Sequence, residues 1–100
     1  MAKFVNRIEM HGSNLDVDTS AEQLTSNAQP LYRGILVKAD AENTGIVYIG
    51  DGTSVTAGDT DATDGFPLSA GESIFLEITL ANQIYVIASA TNQKLYFLGT

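Results

Sequence analysis

The chain of 100 residues has no cysteine and no tryptophan, one histidine and two prolines. Without cysteine there is no disulfide framework, so a fold of this size must rest on its apolar core. The absence is compatible with folding in a cytoplasm. His11, beside Gly12, has no second histidine to share a hydrolytic or metal site and no Ser or Cys nucleophile motif around it. It reads as a surface residue near a turn, and no enzyme or cofactor is expected. Basic residues are as scarce. Lys3, Arg7, Arg33, Lys38 and Lys94 are scattered against twelve acids, for a net charge of −7. Phosphate binding needs clustered Lys and Arg, so nucleic acid is excluded as a partner. No apolar run reaches membrane-spanning length, and Met1–Val5 lacks the apolar stretch of a secretory signal, so a soluble chain with no membrane partner is expected.

Alternation is what the chain does have. Ile74, Leu76, Ile78 and Leu80 alternate with Phe75, Glu77 and Thr79, a period of two that lines one face of a β-strand. Short breaks at Ala81-Asn82-Gln83 and Thr91-Asn92-Gln93 separate this run from strands at 83–89 and 94–98. Breaks this short exclude a parallel crossover, so the C-terminal third is expected to be an antiparallel meander, entered through a turn at 65–72. Further strands are expected at 31–39, with a bulge or close backbone approach at Gly34, and at 45–50, ended by the turn signal Gly50-Asp51-Gly52.

The first thirty residues are less periodic. Residues 1–11 read as an N-terminal arm or edge strand, which either pairs with its own sheet or reaches a neighbour. Gly12-Ser13-Asn14 reads as a turn. Ala21 to Gln29 is the one candidate helix, capped by Thr19 or Ser20, although Thr25, Ser26 and Asn27 suit an extended stretch equally. Residues 12–100 are expected to form one domain. The fold class is therefore all-β, a single small antiparallel β-sandwich or jelly-roll-like barrel.

Six of the twelve acids fall between residues 40 and 64, and residues 53–64 are expected to be an exposed loop. Within it Asp59, Asp61 and Asp64 superficially resemble a calcium loop. The spacing fails, because Asp64 and Gly65 each fall one place late and the position required to be Glu is Ala70. A solvated acidic face is the plainer reading, with those three aspartates the only metal candidates.

Several strands are apolar on both faces: Ile46-Val47-Tyr48-Ile49, Ile84-Tyr85-Val86-Ile87 and Leu95-Tyr96-Phe97-Leu98. A sandwich buries one face of each sheet, so the second-face residues must be covered by loops, by the arm or by another subunit, or be amphipathic surface residues. Tyr48, Tyr85 and Phe97, with Lys3, Phe4, Arg7 and Ile8 of the arm, are the candidate contacts to another subunit or a partner surface. The run Gly45-Ile46-Val47-Tyr48-Ile49-Gly50, then a polar loop, then Gly65-Phe66-Pro67-Leu68-Ser69-Ala70-Gly71-Glu72-Ser73, continued by Ile84 to Ala90, resembles a pattern in small virion proteins of tailed bacteriophages, of the capsid decoration (cement) type. It covers residues 31–98. It implies a structural protein made in the host cytoplasm, located on the virion capsid surface, bound to the major capsid protein and assembled as a homo-oligomer, a trimer in the first instance. A tail, fibre or baseplate domain is the alternative within that class. A carbohydrate-binding β-sandwich for host adhesion is the alternative outside it.

Overall fold

The computed structural model describes residues 11–26, 30–58 and 63–100. Among these residues eight strands are present: β1 (His11–Val17), β2 (Glu22–Gln23), β3 (Ile35–Ala39), β4 (Val47–Gly50), β5 (Phe66–Leu68), β6 (Ser73–Leu76), β7 (Tyr85–Ala88) and β8 (Gln93–Gly99). They form two four-stranded sheets, ordered β1-β8-β3-β6 and β2-β7-β4-β5, and every ladder is antiparallel. Successive strands cross from one sheet to the other everywhere except between β4 and β5. That strand order is a jelly roll, one of the expected architectures.

The core lies between the sheets. In β3 the side chains of Ile35, Val37 and Ala39 are buried while Leu36 and Lys38 are exposed, the period of two carried through. Leu95 of β8 lies beside them in the same sheet, Val47 and Ile49 of β4 and Val86 and Ala88 of β7 face them from the other, and Val17, Leu24, Leu31, Leu68 and Ile84 complete the cluster. Pro67 lies in β5, the last strand of its sheet, where a missing N–H breaks no ladder.

The C-terminal third is not a meander. β6 pairs with β3, β7 with β2 and β4, and β8 with β1 and β3, so no two of these consecutive strands are hydrogen-bonded neighbours. The reason is geometric. Packed sheets lie about 10 Å apart, and the four residues Ser89–Asn92 reach about 13 Å when extended. A short link can therefore arch to the opposite sheet as easily as fold back beside its own strand, and arching is what buries both sets of apolar side chains. The left-handed backbone of Asn92 (φ 61°) and its N–H, which donates to Asp18 Oδ1 at 2.8 Å, form part of that arch.

Four local expectations change as well. Glu22 and Gln23 are not helical; they pair with Val86 and Tyr85, and the Leu24 N–H donates to the Ile84 carbonyl at 2.8 Å. Residues 27–29 lie outside the described part. Gly12-Ser13-Asn14 is not a turn, because seven residues of β8 offer it a full partner, from Gly12 opposite Leu98 to Asn14 opposite Tyr96. Within the expected turn at 65–72, Phe66–Leu68 is strand β5, and the turn proper is Ser69–Glu72. The strand expected over 73–80 ends at Leu76, with Leu80 held by a single bridge to Pro30. Gly34 meets its expectation as a close approach. Its φ is 140°, and a Cβ there would collide with the Leu76 carbonyl oxygen.

One buried polar side chain ties the loops to this frame. Gln93 accepts the Gly45 N–H at 2.8 Å and donates to Thr91 O at 2.8 Å and Thr44 Oγ1 at 3.2 Å. Asn43 acts like a strand partner to Lys94, donating to its carbonyl at 2.9 Å and accepting its N–H at 2.8 Å.

Candidate docking surfaces

The outer face of the β1-β8-β3-β6 sheet is the first surface. Register places Leu98 of β8, Leu36 of β3 and Phe75 of β6 side by side in one row across three strands. All three are exposed, by 44%, 39% and 49%. Tyr96 stands one row further along β8, opposite Lys38, and is exposed too. Tyr32 is 78% exposed and borders, with Arg33, a shallow cleft against Phe75. Cross-strand neighbours on one face lie about 5 Å apart, so Leu98, Leu36 and Phe75 form a continuous apolar row. Lys38 and Lys94 share the parity of this face, and Arg33 borders it. These are all the basic residues among the described ones. Asp16, opposite Lys94 on β1, and Glu77, beside Arg33 in the cleft, are exposed on the same side, so the apolar row is bordered by charges of both signs.

The second surface is the outside of the β2-β7-β4-β5 sheet, and the chain covers part of it itself. Tyr48 is half-buried, with its hydroxyl close over Gly58 and its Cβ close to Gly65. The loop after β4 is not wholly exposed, contrary to expectation. Val55 is 7% exposed because it packs onto Gly50 and Gly65, where no side chain intervenes. The base of the loop is closed by the Thr56 N–H to Thr63 O (2.9 Å) and the Gly65 N–H to Thr56 O (3.0 Å). Thr56 Oγ1 donates to Asp64 Oδ1 at 3.0 Å, which leaves the Thr63 hydroxyl to donate to Thr56 Oγ1 at 2.8 Å. Asp64 is therefore engaged within the loop, while Asp59 and Asp61 lie outside the described residues. Among the described residues no three His, Cys, Asp or Glu side chains come together as a metal site.

The third surface is an open groove of about 1070 Å³ between the edges of the two sheets. Its walls include Ile49, Phe66, Ile74, Leu76, Ile78 and Ile84, with Tyr85, Gln23 and Asn82 also on its lining.

Of the residues singled out from sequence, Lys3, Phe4, Arg7 and Ile8 lie outside the described part. Tyr48 and Tyr85 are half-buried, Tyr48 against its own loop and Tyr85 beside the groove. Phe97 is not a second-face residue. It alternates with Tyr96 and Leu98 and packs against the core. The exposed residues that sequence reasoning passed over are Tyr32, Leu36, Phe66, Phe75 and Leu98, while Tyr96, among the second-face residues expected from sequence, is exposed as well. Parity was the available signal. Leu36 and Lys38 share a parity in β3, as do Lys94, Tyr96 and Leu98 in β8, and a face that keeps a lysine is the wet one.

Fold and surfaces together define an antiparallel jelly-roll sandwich with an exposed apolar row on one outer sheet face, bordered by charges of both signs. Compared with known protein families, with characterised proteins and with solved structures, the chain matches none.

Proposed function

We propose that the chain is a structural protein of a phage virion, a capsid decoration protein that binds the assembled head lattice and stabilises it. The carrying observation is the Leu98–Leu36–Phe75 row with Tyr96 beside it, edged by Lys38, Lys94 and Arg33. Contiguous apolar side chains on a wet sheet face mark an interaction surface, and covering one such side chain is worth on the order of 2 kcal/mol. Several together hold a protein on a flat partner surface, and the mixed charges around the row, Lys38, Lys94 and Arg33 with Asp16 and Glu77, favour a partner rim of complementary charge pattern. The resemblance of residues 31–98 to small tailed-phage virion proteins supports the same reading. The partner is then the major capsid protein, the location the capsid surface, and the mechanism mass action. Many copies bind the assembled lattice and not free subunits, so assembly is favoured. A homo-oligomer, most simply a trimer, multiplies the contacts per particle.

The test is to add the purified protein to virion heads that lack it and to locate it by electron microscopy. Regular copies over the head lattice are expected, with occupancy falling at least tenfold for Leu36→Ser/Leu98→Ser. Copies confined to the tail would make it a tail, fibre or baseplate piece. Glycan binding without particle binding would make it an adhesion module.

A further inference from the structure

The groove carries an inference that goes beyond capsid docking, because it uses a different side of the molecule. β5 and β6 are the last strands of their sheets, and each is paired on one side only. The run from Ser73 to Leu80 is held on its β3 side, by the β6 ladder and then by the Pro30–Leu80 bridge and the Leu31 N–H to Thr79 O bond (2.8 Å). Its other edge faces the groove. Ile74, Leu76, Ile78 and Leu80 line that groove and are all half-buried, so a period-two apolar row lies beside an open strand edge. Asn82, also on the lining, has a buried Oδ1 with no hydrogen-bond donor. An unpaired strand edge is completed by another strand, whose backbone supplies hydrogen bonds and whose alternate side chains fill the pockets.

Residues 1–10 have the matching pattern. Ala2, Phe4, Ile8 and Met10 share one parity, and the single polar residue among them is Asn6, whose amide can donate to a carbonyl oxygen such as Asn82 Oδ1. The opposite parity carries Lys3 and Arg7, which an added strand would place on the outer side of the sheet, the side of the exposed Glu77 that alternates with Leu76 and Ile78. Ten extended residues span about 33 Å and the eight of 73–80 about 27 Å, so the lengths agree. The segment's own domain is poorly placed to receive it. His11 begins β1, three strand spacings from β6 along the row His11–Gly99–Ile35–Leu76, a distance of about 14 Å. Crossing that distance takes about four residues, which would hold Ile8 and Met10 away from the groove.

We propose that residues 2–10 of a second copy of this chain bind the groove as an added strand along Ser73–Leu80, with Phe4 and Ile8 in the apolar wall and Asn6 on Asn82. The contact is head to tail, so repetition closes a ring of copies or extends a filament.

The cysteine-free sequence makes the test clean. Full-length Asn6→Cys and full-length Asn82→Cys, one of them isotope-labelled, are mixed and oxidised. A disulfide between the two different chains is expected, at least tenfold more abundant than either homodimer, because disulfides form only at short Cα separations. In parallel, full-length Phe4→Ser/Ile8→Ser is compared with the unaltered chain by sedimentation velocity. The unaltered chain should associate, and the variant should lose that association while keeping its β circular dichroism. A disulfide confined within single chains carrying both substitutions would overturn the proposal by placing the segment in its own groove. So would an unaltered chain that sediments as a monomer at every concentration, or a serine variant that associates as before. Particle binding by a chain that fails these tests would leave the docking reading of the outer face standing.

Discussion

Gln93 shows how one side chain can hold three segments. It makes three hydrogen bonds from a site only 2% exposed, so truncation strands buried partners rather than freeing them to water. Gln93→Ala should cost about 2 kcal/mol, a fall in Tm on the order of 10 °C for a chain of this size. Thermal denaturation followed by circular dichroism checks this, and an unchanged Tm would remove Gln93 as a structural pin. Glu22 makes a smaller and opposite contribution. Partial burial raises its carboxyl above the ordinary value, the negative charges of Asp18 and Asp16 add to the rise, and a backbone hydrogen bond from Asp18 opposes it. A carboxyl that protonates more readily when folded favours the folded state at low pH, and that contribution is lost as pH rises through the carboxylate range. Glu22→Gln should therefore raise Tm at neutral pH, with the gap closing on acidification. A gap that widens in acid would contradict the assignment.

At the scale of the strand, the two faces of β3 and β8 behave differently under substitution. Leu95 is fully buried in the core, and Leu95→Ala should cost about 3 kcal/mol, a large share of the stability of a small domain. Leu36 stands on the wet face of the same sheet, so Leu36→Ser should move stability by less than about 0.5 kcal/mol while weakening docking. Chemical denaturation of both variants tests the pair. Equal losses would mean that the outer face is structural and not held for a partner. The alternation that separates these faces is present in the sequence over Ile35 to Ala39, since Lys38 marks the wet parity. In Leu95-Tyr96-Phe97-Leu98 every residue is apolar, and only the preceding Lys94 marks the wet parity, which the pairing bears out. Leu98 falls opposite the exposed Leu36, and Phe97 opposite the buried Val37.

For the whole molecule, the open groove and the outer face both predict association. If the chain self-associates through its folded form, mass action makes Tm rise with protein concentration. Differential scanning calorimetry over a hundredfold concentration range should show a rise of several degrees. A constant Tm would indicate a monomer and confine the outer face to a partner of a different kind.

The class of the fold was open to reading from the chain alone. A period of two in 31–39 and 73–80, turn residues between short runs, and the lack of any sustained period of 3.6 define an antiparallel all-β chain, because backbone geometry ties alternation to the strand. Gly34 was legible for a similar reason, as a residue without a side chain inside an apolar strand invites a close backbone approach. Pairing order was not legible. A link of a few residues can return beside its strand or arch across the 10 Å between sheets, and the choice depends on the summed burial of all eight strands rather than on the link. The same summed burial placed Phe97 inside and Leu98 outside, drew Glu22 and Gln23 away from a helix, and pressed Val55 against two glycines in a loop that composition marked as surface. Local periodicity settles what a segment becomes. Which face of it meets water depends on partners that are distant in sequence, and only the tertiary structure brings those together.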